Sequence, residues 1–225
     1  MNILLILLGL LPGFVWLIFY LQEDLRPEPK KLIAKTFLFG AIAVIPALGI
    51  EILLNGWMKI LGIGQFTLVS LIVLSSVEEV TKFFAARFSV YKNANFDEPV
   101  DAMIYMVVAA LGFATAENLG ALTAPNEVRA AILSSVLTTT SLRFVGATLL
   151  HSLSSGIVGY FWARGIRKFG AKGPLIRGLL YATLLHALFN YFIMSVGGII
   201  YSILLLVIVG FFVLGDFEKL KRENI

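Results

Sequence analysis

Residues 68–90 read LVSLIVLSSVEEVTKFFAARFSV. The stretch is long and apolar enough to cross a bilayer, which takes about 20 mostly apolar residues. Its middle nevertheless carries Glu78, Glu79 and Lys82. A charge at the bilayer centre costs at least about 2.5–3.5 kcal/mol on insertion scales. Three charges in one span are tolerable when they face each other and other polar groups, not lipid. The stretch therefore predicts an all-α, polytopic helical bundle with a polar site inside it.

The rest of the chain agrees. Of its 225 residues, 59% are hydrophobic and only 14% charged, where a soluble domain carries about 25% charged residues. Mean hydropathy is +0.91. These values exclude an ordinary soluble domain and imply one integral membrane domain over residues 1–225 with the lipid bilayer as its partner. The net charge of +4 gives no reason to expect nucleic-acid binding, because the basic residues sit in joints between apolar spans. There are no cysteines, so disulfide and thiol chemistry are excluded. The opening MNILLILLGLLPGFVWLIFYL has no basic leader and no small-residue cleavage site, and is expected to be a retained first span.

Seven spans are expected, near 2–21, 32–54, 66–88, 98–120, 144–163, 175–195 and 198–215. Segment 126–142 is short and rich in Ser and Thr; it is expected not to cross, although crossing would make an eighth span. Basic residues decide between these. With seven crossings, 14 of the 18 fall in joints on one side and only Lys59 and Arg129 on the other. By the positive-inside rule that places the N-terminus outside and the C-terminus in the cytoplasm, in the cell membrane. Eight crossings would scatter the basic joints over both sides.

The ionisable residues inside these spans are few. They are Glu78, Glu79 and Lys82 in the third, Glu117 in the fourth, His151 in the fifth and His186 in the sixth. Lys82 stands three and four residues after the two glutamates, within reach of either on a helix. Phe113 and Glu117 share a face, with Asn118 beside them, and so do His186 and Asn190. Ser152, Ser155, Gly156 and Gly159 follow His151 as a small-residue face suited to close packing. At 1.5 Å per residue, Glu78 lies about 18 Å below the outer surface, His186 about 14 Å, His151 about 11 Å and Glu117 about 5 Å. Four spans thus aim polar groups at the midplane or outer half. Glu51, at the end of the second expected span, is assigned to the interface and set aside. Asp101 is expected to pair with Arg87 or Lys82 as a structural clamp.

Two adjacent carboxylates with a lysine and histidines suit water activation, one carboxylate serving as base while the other is held charged. The set Glu78, Glu79, Glu117, His151, His186 and Asn190 is the expected catalytic group. Lys82, Phe113, Asn118 and Asp101 support it. There is no GxSxG for a serine nucleophile and no HExxH for a zincin. A Zn²⁺ site made by His151 and His186 with Glu79 or Glu117 is the alternative, with a second glutamate as base. The glutamate–water reading needs no cofactor.

Four blocks carry a resemblance: EEVTK (78–82), DEPVDAMIYMVVAALGFATAEN (97–118), HSLSSGIVGY (151–160) and HALFNY (186–191). In this order they resemble the signature blocks of the PrsW-type intramembrane proteases, over a core of about 78–191. That family is distantly related to the CAAX prenyl endopeptidases and bacteriocin-processing membrane proteases. The resemblance implies a multi-pass membrane endopeptidase. Its best-known member makes the first cut in the extracytoplasmic part of an anti-sigma factor, beginning a stress response. It maps the family's paired glutamates onto Glu78 and Glu79, its late histidine onto His186, and its Phe-x-x-x-Glu block onto Phe113 and Glu117. In the CAAX relatives a histidine usually stands at the position of Glu117, and arginine at that of Lys82. The family has also been grouped with metallopeptidases, so both chemistries stay open. A membrane-anchored protein is the expected substrate. A proton- or ion-coupled transporter and a non-catalytic scaffold are the competing classes.

Overall fold

The computed structural model describes residues 3–24, 26–123, 140–167, 170–195 and 198–223. Seven helices occupy them: α1 (Ile3–Leu21), α2 (Lys30–Ile60), α3 (Leu68–Ser89), α4 (Pro99–Thr123), α5 (Thr140–Arg167), α6 (Lys172–Ser195) and α7 (Ile199–Arg222). No strand occurs among the described residues. On length and composition, α2, α4, α6 and α7 qualify as membrane spans. The charges of α3 keep it outside that group.

Helix starts follow local chemistry. Thr67 caps α3, its hydroxyl accepting from the Ser70 N–H at 3.3 Å. Pro99 opens α4, where a missing N–H costs nothing. The carboxylate of Asp101 turns back to accept from the N–H groups of Asp97 (2.9 Å) and Glu98 (2.7 Å). Asp101 therefore does not clamp Arg87 or Lys82, as the sequence suggested. Asp101 is the third residue of α4, where a carboxylate reaches back to the backbone N–H groups that precede the helix.

α4 is the axis of the bundle. Every residue from Val100 to Thr115 is buried, as expected of a helix that is apolar all round. Its neighbours approach through glycines. A Cβ on Gly40 of α2 would lie 1.9 Å from the Ala109 carbonyl oxygen, and one on Gly112 of α4 would lie 2.0 Å from that of Phe37. Such close backbone approach is how membrane helices gain packing energy without a hydrophobic drive between them. Outside this axis, α2 exposes Leu38, Ile42, Ile45, Ile52 and Leu53, while α7 exposes Ile203, Leu204, Val207, Ile208 and Phe211. With these apolar faces turned outward, the molecule is a polytopic helical membrane protein.

The joints sort to two ends. Arg26 pairs with Glu98 at 2.7 Å, Lys221 with Glu23 at 2.5 Å and Arg164 with Glu223 at 2.8 Å. Lys35 Nζ donates to the Ser89 carbonyl at 2.7 Å. The α1–α2 joint, the end of α3, the start of α4 and the ends of α5 and α7 therefore share one end. α5 runs back along α4, with Gly159 against Met103 and Asn118 donating to Thr148 at 3.2 Å. Of the segment expected not to cross, residues 126–139 lie outside the described residues. α2 is longer than the span 32–54 read from hydropathy, continuing to Ile60.

Candidate active site

Glu78 and Glu79 lie midway along α3, and the pitch of the helix sends them to different neighbours. Glu79 is fully buried. Its Oε1 accepts from Lys82 Nζ (2.7 Å) and Ser154 Oγ (3.0 Å), and lies 2.8 Å from His186 Nδ1. An oxygen already holding an ammonium is an acceptor, so His186 Nδ1 carries the proton and donates to it. That leaves His186 Nε2 with a lone pair, 3.7 Å from Glu78 Oε2. Glu78 Oε2 is buried and has no hydrogen-bond partner.

Lys82 is also fully buried, its Nζ 2.9 Å from His151 Nδ1 and 5.4 Å above the Phe113 ring. An ammonium can only donate, so His151 Nδ1 accepts and the neutral ring carries its proton on Nε2. His151 Nε2 lies 2.9 Å from Glu117 Oε2, and Nδ1 lies 3.8 Å from Glu78 Oε2. The two imidazoles meet edge to face, with ring centroids 5.0 Å apart. Phe113 packs against His151 at 5.8 Å and forms the apolar floor. α3, α4, α5 and α6 thus each bring a residue to one centre.

One ligand atom from each of Glu78, His151 and His186 lies within 4.8 Å of the other two. The sequence pointed to Glu79 or Glu117 as the carboxylate of such a set. The geometry groups Glu78 with the two histidines instead, while Glu79 holds Lys82, Ser154 and His186 through Oε1. Asn190 stands at the edge of the centre, lining a cavity of about 300 Å³ together with Glu78. Asn118 is not in the centre; its amide ties α4 to α5 through Thr148.

Glu51 was placed at the interface by sequence, and the structure corrects this. It lies nine residues before the end of α2, lines the same cavity as Glu78 and Asn190, and has a buried Oε1 without a partner. A span counted as ending near residue 54 put Glu51 at its edge, whereas α2 continues to Ile60. The available signal was spacing. Beyond Thr36, the charged and amide residues of α2 are Glu51, Asn55 and Lys59, four apart on one face.

Comparison with known proteins bears on this centre. The chain matches the PrsW family intramembrane metalloprotease model over residues 28–215. It is 31% identical to Protease PrsW of Geobacillus kaustophilus (strain HTA426), over 83% of this chain and 78% of that one. It is 28% identical to Protease PrsW of Bacillus subtilis (strain 168), over 96% and 95% of the two chains. With Protease PrsW of Clostridioides difficile (strain 630) it shares 32% identity over 53% and 50%. No solved structure matches the chain. The match spans α2 to α7, including every residue of the centre, and the chain belongs to the PrsW family of intramembrane metalloproteases, a membrane peptidase.

Proposed function

We propose that this peptidase cleaves a membrane-anchored protein of the anti-sigma-factor kind near the extracytoplasmic side, with a water activated by Glu78. One observation carries the reading. Glu78 Oε2 and His186 Nε2 face each other at 3.7 Å, and Glu78 Oε2 has no partner. Two acceptors so placed suit one water that donates to both. As that water attacks the scissile carbonyl, Glu78 takes its proton and returns it to the leaving amine. Glu79 does not meet the water; it fixes the tautomer of His186 and balances Lys82. Asn190 supports the developing oxyanion from the cavity wall. His151, held between Lys82 and Glu117, completes the polar enclosure.

The same donors fit a divalent metal such as Zn²⁺. Glu79 on His186 Nδ1 is the usual outer partner of a metal-binding imidazole. Separations of 3.7 and 3.8 Å from Glu78 Oε2 to the histidine nitrogens are close to the roughly 3.4 Å edge of a tetrahedral zinc site. His151 is the weaker donor, since Lys82 and Glu117 already occupy its two nitrogens. Glu78, His151 and His186 would hold the ion, which supplies Lewis acidity to water and carbonyl.

The proposed setting is the cell membrane, with seven crossings, the N-terminus outside and the C-terminus in the cytoplasm. Support comes from the basic joints meeting at one end of the bundle. Reconstitution with a single-span substrate tests the whole reading. Wild type should cut and Glu78→Gln should not. Loss of cutting with a chelator, reversed by Zn²⁺, selects the metal route; indifference to chelator selects glutamate and water alone. Ion flux without cutting would overturn the peptidase mechanism.

A further inference from the structure

Glu51 stands outside the mechanism above, yet it is built into the approach to Glu78. The 300 Å³ cavity that reaches Glu78 adjoins a second cavity of about 490 Å³ lined by Lys59 and the α2–α3 turn. The two share Asn55, Gln65 and Ser70. Together they make one cleft running from the turn into the bundle. On α3, Ser70, Leu71, Leu74 and Glu78 line it along one face, an advance of about 12 Å. On α2, Glu51, Asn55 and Lys59 do the same at i, i+4 and i+8.

The cleft has the chemistry of a peptide site. Asn55, Gln65 and Asn190 carry carboxamides, each offering the donor and acceptor pair that an extended backbone needs. Phe66 lines the inner cavity from the α2–α3 turn with φ of 64°, a conformation rarely adopted by a bulky residue. Charge is graded along the cleft, with Lys59 at the turn and Glu51 at depth. Glu51 Oε1 is buried without a donor, which is costly for a carboxylate. Among the described residues the ammonium whose charge reaches it, that of Lys82, gives its hydrogen bonds to Glu79 and His151 instead.

We infer that this cleft binds an extended segment of the substrate and that Glu51 selects a basic side chain close to the scissile bond. Glu51 is a specificity-determining residue on this reading, which rests on the peptidase function proposed above.

Binding and cutting can be measured apart. The chain has no cysteine, so Gln65→Cys provides a single label site in the cleft. The probes are single-span peptides whose juxtamembrane segment carries one Lys or one Asp at successive positions. In lipid nanodiscs, a Lys peptide in the right register should slow labelling of Gln65→Cys by an aqueous maleimide. The matching Asp peptide should need about tenfold or more higher concentration to do so, as a hydrogen bond to a charged group implies. Adding Glu51→Gln should remove the difference, and Glu51→Asp should restore part of it. Equal protection by Lys and Asp peptides at every position would overturn the inference, as would a preference that survives Glu51→Gln. Protection with the expected preference but no cutting would sink the peptidase reading and leave the cleft standing.

Discussion

At the end of the bundle holding the α1–α2 joint, the partly buried Glu28 and the buried Asp101 and Tyr105 form one acidic group. Midway along α3, Glu78 and Glu79 form another. In the first, Asp101 accepts from two backbone N–H groups, and Asp24 nearby accepts from those of Arg26 (2.9 Å) and Glu28 (3.1 Å). The Tyr105 hydroxyl donates to Glu28. Among the described residues no histidine or lysine hydrogen-bonds to Asp24, Glu28 or Asp101. That group closes the ends of helices. The second draws a lysine and two histidines to its carboxylates, and still leaves Glu78 Oε2 and Glu79 Oε2 without partners. Buried carboxylates alone therefore say little about chemistry. An unpartnered oxygen beside a ring nitrogen with a free lone pair says much more.

The contrast can be broken most sharply inside the second group. Glu78→Gln should lower cleavage by about 10²–10⁴-fold, the usual contribution of a general base, with thermal unfolding unchanged. Glu79→Gln should lose cleavage as well, and should also destabilise by about 3–5 kcal/mol because Lys82 is left buried without its counter-charge. Equal stability of the two variants would dissolve the division of labour between the glutamates. The double variant Glu79→Gln/Lys82→Met should recover stability relative to Glu79→Gln without recovering cleavage. Recovered cleavage would mean that Glu79 acts only through Lys82.

Smaller effects belong to the first group. Tyr105→Phe removes a donor to a partly buried carboxylate and should cost about 1–3 kcal/mol of unfolding free energy, with cleavage within a few-fold of wild type. A large loss of cleavage at equal stability would connect the two groups. The smallest effect is one of pH. Burial holds the carboxyls of Asp24 and Glu28 above their ordinary values. Groups raised in the folded state favour folding below the ordinary carboxylate range, and that contribution is lost as pH rises through the raised values. The unfolding midpoint should thus fall as pH rises from the ordinary carboxylate range through the raised values, and fall less in Glu28→Gln. Identical slopes would remove Glu28 from the group.

Much of this was legible in the residues. The cost of charge in a span made α3 a wall of a site, and both histidines of the chain had to share it. Partner choice was not legible, because it depends on which side of α3 each adjacent glutamate leaves. Adjacent residues on a helix point about 100° apart, so Glu78 and Glu79 meet different atoms despite one sequence motif. Asp101, at the edge of the fourth span, was assigned a cationic partner because the sequence does not show the backbone N–H groups that its carboxylate accepts from. Glu51 was lost because windows of about 20 residues truncate a helix as long as α2, and its face became visible only once Asn55 and Lys59 were on the same helix.

The contact between the first and seventh helices has a consequence for assembly. Tyr20 of α1 meets Phe217 of α7, with ring centroids 5.9 Å apart, and Lys221 pairs with Glu23 beside them. Helices enter the membrane in chain order, so α1 waits for a neighbour made after all the others described. Until then one flank of α1 needs lipid or a chaperone as a temporary companion. The seam between the earliest and latest of these helices is thus the last of the described contacts of α1 that can form.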